Sequence, residues 1–340
     1  MPDSIAETEP LDAIIVGAGP CGLAVAVAVK ERGLRYAILD RGCITESLTR
    51  YPSYMTFFST AERLEIGDVP FTIPEPKPTR RDALAYYRHV VAHHGIGVRQ
   101  YEEVTGIEPV ARAFAVHTRT RDGREDCLAS RTVVVATGGF GEPNRLGFEG
   151  EDRYRRVIHY YREPFPFFDQ DVLVVGGGNS AVEAALELYR NGVRVRMVHF
   201  ADTLDPGVKP WVRPDIENRI ASGEIPMHWE SRVACLGTGT ATIVEESTGA
   251  ETGVSNDWVL AMTGWRPDAA LLTGLGVETD PDSGIPAHDP ETMETTVPRV
   301  YIAGVIAAGF NANKIFIENG REHGAIIAAH LAARLGESGR

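Results

Sequence analysis

No two cysteines in this 340-residue chain are spaced C-x-x-C. Its four, Cys21, Cys43, Cys127 and Cys235, are widely separated, so neither a zinc site nor a dithiol redox motif can be read from them. The ten histidines show no H-E-x-x-H or similar ligand spacing. His93 and His94 stand just before Gly95, where a helix is expected to end, and read as structural. Positive charge is scarce: 34 Lys and Arg against 47 Asp and Glu, a net charge of -13. A phosphate backbone or an anionic lipid surface needs a basic face, so neither nucleic acid nor membrane is an expected partner. The opening residues, MPDSIAETEP, carry no basic n-region of a signal peptide. The long apolar run, Leu11 to Val29, is interrupted by Gly17, Gly19, Pro20 and Gly22. It reads as a strand, a turn and a buried helix rather than a membrane span, and a cytoplasmic location is expected.

What is present is a repeat. LDAIIVGAGPCGLAVAVAVKERGLRYAILD and QDVLVVGGGNSAVEAALELYRNGVRVRMVH each read as apolar strand, Gly-rich turn, helix and second strand. The length accommodates two medium domains. In such a turn the first Gly permits the bend and the second lets a pyrophosphate approach the backbone. The third small residue lets the helix pack on the strand. The first copy supplies Gly17, Gly19 and Gly22, with Pro20 and Cys21 between them; the second supplies Gly176, Gly178 and Ala181, with Asn179 and Ser180 between. A helix start of this kind holds phosphate through its free N–H groups and dipole.

Asp40 and His199 each lie 23 residues beyond the first Gly of their copy, at the position that reads the adenosine ribose. Asp40 can accept hydrogen bonds from a ribose diol, which suits FAD or NAD. His199 does not repel a 2′-phosphate, so the second copy leans to NADPH. Lys209 and Arg213 follow on the next loop, as phosphate partners or as a solvated basic surface. Three further strand ends belong to the same plan: TVVVATGG with Thr137 and Gly138, WVLAMTGWRPD with Thr263 and Gly264, and TTVPRVYIAGV with Gly304 and Val305. Two dinucleotide sites in one chain imply electron transfer between FAD and NADPH.

These motifs together resemble the thioredoxin-reductase-like flavoproteins over nearly the whole chain. The resemblance implies an α/β fold of two Rossmann-like dinucleotide-binding domains, the second inserted in the first. The FAD-binding domain would take 1–142 and 264–340, and the NADPH-binding domain 143–263. Two departures stand out. HYYREPFPFFDQ, ahead of the second turn, holds no cysteine, and Val305 stands where that family has an Asp for the flavin ribityl chain. YPSYMTFFSTAERLEIGDVPF, KPTRRDALAYYR, WVRPDIENRI, DPETMETTVP and AGVIAAGFNANKIFIENGREHG are more similar to the YpdA-type bacillithiol disulfide reductases. That likeness implies NADPH-driven reduction, through FAD, of the disulfide of a low-molecular-weight thiol, with Cys21 as the candidate redox residue. Phe200 stands where such enzymes carry Arg, which removes a phosphate fork.

Cys21 has two readings: a thiol stabilised as thiolate by a helix start, or a small residue that fits the turn. Cys43 is the next nearest the nucleotide by chain position, while Cys127 and Cys235 read as structural. NANKIFIENGREHGAIIAAHLAARL is expected to form a polar turn and then a helix whose N-terminus, with Asn313 and Lys314, faces the flavin. TRRDALAYYRHVVAHHG reads as an amphipathic helix capped by Thr79 and Asp82, with Tyr86 and Tyr87 packed, and FTIPEPKPT as a surface loop. Two other functions share the build: a ferredoxin or flavodoxin NADP reductase, and a flavin redox sensor acting through a partner. The expected partners are a small-molecule disulfide and further copies of the chain in a homo-oligomer.

Overall fold

A computed structural model describes residues 9–148 and 151–338. The acidic start, residues 1–8, lies outside the described residues. The chain divides into two compact units: Met1–Thr49 with Met55–Glu142 and Arg266–Arg340, and Arg50–Tyr54 with Pro143–Trp265. Arg50–Tyr54, given to the first domain on sequence, groups with the second unit, where Ser53 N donates to Arg162 O at 2.7 Å. Gly264, given to the first domain, also falls in the second, because Asn144 N donates to its carbonyl at 3.0 Å.

The first unit is built on a five-stranded parallel sheet. Its order is Val300–Ile302, Val133–Val135, Ala13–Val16, Tyr36–Asp40, Val98–Gln100. The central strand, Ala13–Val16, is buried along its whole length, as a parallel strand covered on both faces must be. The helix Pro20–Glu31 that follows is buried continuously from Gly22 to Val29. This accounts for the long apolar run: the last helix, His323–Ser338, covers the side away from the sheet. The two helices meet at Gly324, where an added methyl would lie 2.7 Å from the Ala24 carbonyl oxygen. Ile327, Ala328 and Leu331 line that contact region and are fully buried. Among the described residues no helix is long and apolar enough to cross a membrane.

The helix Arg80–His94 starts in a capping box. Asp82 N donates to Thr79 Oγ1, and Thr79 N donates to Asp82 Oδ2 at 2.9 Å. It ends at Gly95 in the left-handed region, φ 57°. Tyr86 and Tyr87 are buried, and their hydroxyls donate to Val69 O at 2.8 Å and Leu64 O at 3.0 Å, so neither polar tip is orphaned.

The second unit repeats the plan. Its parallel sheet runs Met227–His228, Arg194–Val198, Asp171–Val175, Trp258–Ala261, Val157–Ile158. The helix Asn179–Arg190 buries Ala181, Val182, Ala184, Ala185, Leu186 and Leu188 and leaves its other face to solvent. Each unit also carries a three-stranded antiparallel sheet, Glu102–Ser130 in the first and Ser231–Ser255 in the second.

The C-terminal segment differs from the expected turn and single helix. Asn313 and Lys314 lie exposed in a short 3-10 turn, Ala312–Lys314, and a four-residue helix, Ile317–Gly320, comes before the long helix at His323. Asn319 is the reason: its amide donates to Lys314 O at 3.0 Å and its oxygen accepts from Phe316 N at 2.8 Å, a local bonding pattern that starts a new turn.

Candidate functional site

The two glycine turns are built alike. Gly17 N donates to Leu39 O at 2.7 Å and Gly176 N to Val198 O at 2.9 Å, so each turn opens from the strand that precedes the reading position. Both first glycines have positive φ, 107° and 135°. A methyl on Gly17 would collide with the Ala136 carbonyl, and one on Gly176 with the Met262 carbonyl. Only glycine satisfies both the backbone and the space. The third positions differ in tolerance. A methyl on Gly22 would run into the carbonyl of Gly17, whereas Ala181 already fits, buried beside Gly176.

The first turn fits a nucleotide pyrophosphate. Gly19 has extended backbone, and a methyl there would meet nothing within 4 Å. The helix start has no side-chain cap and no acidic residue, and Pro20 begins it without an N–H to satisfy. Asp40 shapes the turn: Oδ2 accepts from Ala18 N and Oδ1 from Gly42 N, each at 2.8 Å. Burial raises its pKa, and these two bonds work against that rise. Beyond the turn, Thr137 Oγ1 is buried without a partner and Gly138 is in the left-handed region, φ 82°. An unpaired buried hydroxyl beside an open glycine turn suits a bound polar group. Val305 packs against Gly139, filling with methyls the place of the missing Asp.

Cys21 sits at the start of this helix with its Sγ directed at two glycines. A methyl on either Gly304 or Gly320 would lie 2.9 Å from that sulfur. Gly304 N in turn donates to His323 Nδ1 at 3.1 Å. Burial pushes the Cys21 thiol up to about 12. Cys43 donates to Glu46 Oε2 at 3.1 Å, and burial with that carboxylate pushes it up to about 11. Both are neutral thiols at pH 7.

The second turn brings together Asn179, His199, Lys209 and Arg213. Asn179 Nδ2 donates to Gly207 O and its Oδ1 accepts from Lys209 N, both at 2.9 Å, which folds the loop back on the helix start. Arg213 donates to Asp205 O at 2.7 Å and pairs with Glu217 at 3.1 Å. Ser180 lies in the first turn of the helix. Thr263 and Gly264 are tied to Asn144: Thr263 Oγ1 donates to Asn144 O at 2.5 Å and Asn144 Nδ2 to Thr263 O at 2.9 Å. His199 lies under the turn, 2 % exposed, with both ring nitrogens buried and without a hydrogen bond, Nε2 standing 3.5 Å from Asp205 Oδ1. Burial lowers its pKa, and the Asp205 carboxylate works against that fall. Phe200 is exposed, with the Arg232 guanidinium 5.4 Å above its ring.

Asp205 also belongs to this site, and the sequence reading passed over it. It lies six residues past the ribose-reading position, and only the folded loop returns it to the turn. Among the described residues no group of His, Cys, Asp and Glu is placed to hold a metal ion.

A family model described as pyridine nucleotide-disulphide oxidoreductase matches residues 14–304. The bacilliredoxin reductase Bdr of Bacillus subtilis (strain 168) is 42% identical over 325 residues, covering 95% of this chain and 98% of that protein. The solved bacillithiol disulfide reductase Bdr (YpdA) of Bacillus cereus is similar in structure, with TM-score 0.93 and 42% identity over 96% of this chain and all of that one. The enzyme of the same name from Staphylococcus aureus gives TM-score 0.89 and 40% identity, over 96% and 99% of the two chains.

Proposed function

Since the chain belongs to the pyridine nucleotide-disulphide oxidoreductases, and among them to the Bdr (YpdA) proteins, we propose that it reduces the disulfide of a low-molecular-weight thiol, with bacillithiol disulfide as substrate. It is a flavoprotein oxidoreductase with FAD and NADPH as cofactors. The observation that carries the substrate reading is the likeness to the Bdr (YpdA) proteins over nearly the whole chain, in a sequence that holds no C-x-x-C dithiol. The first unit takes FAD and the second NADPH. Bound there, NADPH would supply a hydride and FAD a two-electron carrier between it and the disulfide. With one added proton the balance closes: NADPH, a proton and one disulfide give NADP+ and two thiols.

The chain's own residues do the holding. The uncapped helix start at Pro20 takes the FAD pyrophosphate, Gly19 leaves it room, and Asp40 meets the ribose from a carboxylate already fixed by Ala18 and Gly42. Thr137 Oγ1 acquires the partner it lacks. Cys21 is the thiol that exchanges with the substrate: its sulfur takes one half of the disulfide and releases the other as a thiol, and the electron pair drawn from NADPH would then free the second thiol and restore Cys21. Its burial between Gly304 and Gly320 keeps it protonated at rest, which protects it from adventitious oxidation and makes exchange dependent on its deprotonation. The protein works in the cytoplasm as a homo-oligomer.

NADPH consumption by purified, FAD-loaded protein tests this reading, with bacillithiol disulfide, other small disulfides, oxidised bacilliredoxin and ferredoxin compared. Turnover with bacillithiol disulfide supports it. Turnover confined to oxidised bacilliredoxin, the substrate in the name of the Bacillus subtilis relative, moves the substrate to a protein disulfide. Turnover confined to ferredoxin overturns it.

A further inference from the structure

The two glycine turns differ in what faces their second glycine. Beside Gly19 the space is open. Beside Gly178 it is taken: a methyl there would lie 2.9 Å from Asp205 Oδ2. Five hydrogen bonds fix the backbone that presents this carboxylate. Asp205 N donates to Gly177 O at 3.1 Å, and Val208 N to Asp205 O at 3.0 Å. Arg213 donates to that same carbonyl, and Asn179 ties down Gly207 and Lys209. The other carboxylate oxygen, Oδ1, is 3.5 Å from His199 Nε2. Asp205 therefore spans the face that admits a pyrophosphate and the residue that reads the ribose.

The nearby arginines have carboxylate partners of their own, and the histidine beside Asp205 carries no hydrogen bond. His199 is buried, with no hydrogen bond on either nitrogen, and burial disfavours its charged form. Arg213 is paired with Glu217, and Arg232 with Glu246. Phe200, next to His199, offers no donor.

On the reading that the second unit holds the coenzyme, we infer that Asp205 sets coenzyme specificity: its carboxylate stands over the phosphate side of the second turn, weakens coenzyme binding, and weakens the 2′-phosphorylated form most. A dinucleotide brings negative charge to Gly178, and NADP+ brings a further phosphate to the His199 position, so the penalty falls on both and more heavily on NADP+.

Isothermal titration of FAD-loaded protein with NADP+ and with NAD+ tests this without turnover. Asp205→Asn keeps the shape and removes the charge. NADP+ affinity is expected to rise roughly tenfold, the scale of one charged contact, and NAD+ affinity by less. Asp202→Asn, which removes the same charge from an exposed neighbour, is expected to change neither. NADP+ affinity that is unchanged or weaker in Asp205→Asn, or a rise matched by Asp202→Asn, overturns the inference alone. Failure of both wild type and Asp205→Asn to bind either nucleotide overturns the coenzyme reading with it.

Discussion

Replacing Gly19 by Ala separates the fold from the cofactor. The backbone at Gly19, φ -71° and ψ 175°, is one alanine adopts freely, and its methyl would meet nothing within 4 Å. The apoprotein therefore loses no packing. It gains about 0.4–1 kcal/mol because the unfolded chain is less free. The same methyl fills the approach to the helix start. That start offers the N–H groups of Cys21 and Gly22, since Pro20 has none and Leu23 N already donates to Gly19 O at 2.9 Å. Two lost bonds to a charged phosphate, at roughly 1.5–3 kcal/mol each, loosen FAD by about a hundredfold or more. Gly22→Ala is the contrast, for its methyl has no room beside the Gly17 carbonyl. That variant should lose about 3 kcal/mol of stability as well as its flavin. Urea unfolding of the apoproteins and fluorescence titration with FAD read the two effects separately. Gly19→Ala with wild-type FAD affinity would refute the placement of the pyrophosphate at this turn.

The Cys21 thiol, held near 12, should alkylate slowly at neutral pH, its rate climbing about tenfold per pH unit to pH 10 without the plateau of an ordinary thiol near 8.5. Disulfide turnover should rise with pH in the same way, and Cys21→Ala should keep FAD and its reduction by NADPH while losing that turnover; a flat profile or unimpaired Cys21→Ala assigns the residue to packing. Thr79→Ala, which breaks the capping box of Arg80–His94, should cost about 1 kcal/mol in urea unfolding with FAD affinity unchanged; a loss below about 0.3 kcal/mol would show that tertiary packing, rather than the cap, holds this end.

Residues whose backbone and neighbours leave a single choice were legible in the sequence. Gly17 and Gly176 need positive φ and the absence of a side chain, and their spacing to Asp40 and His199 is set by one helix and one strand. Thr79 with Asp82, and Gly95 at the other end of that helix, are local signals read correctly for the same reason. What was hidden depends on loops. Asp205 reaches the second turn only because Asn179 binds Gly207 and Lys209. Asn313 and Lys314 were expected at the start of the last helix; Asn319 instead starts a separate short helix at Ile317, and the last helix begins at His323. Arg50–Tyr54 left its sequence neighbours for the second unit through a backbone bond to Arg162, which no local pattern announces.

The most direct measurement is a single turnover under anaerobic conditions. Protein reduced by NADPH is mixed with bacillithiol disulfide, and flavin absorbance and free thiol are followed together. The account predicts that the flavin colour returns and that two thiols appear for each flavin reoxidised. A flavin that stays reduced in the presence of the disulfide, or that reoxidises without releasing thiol, would contradict it.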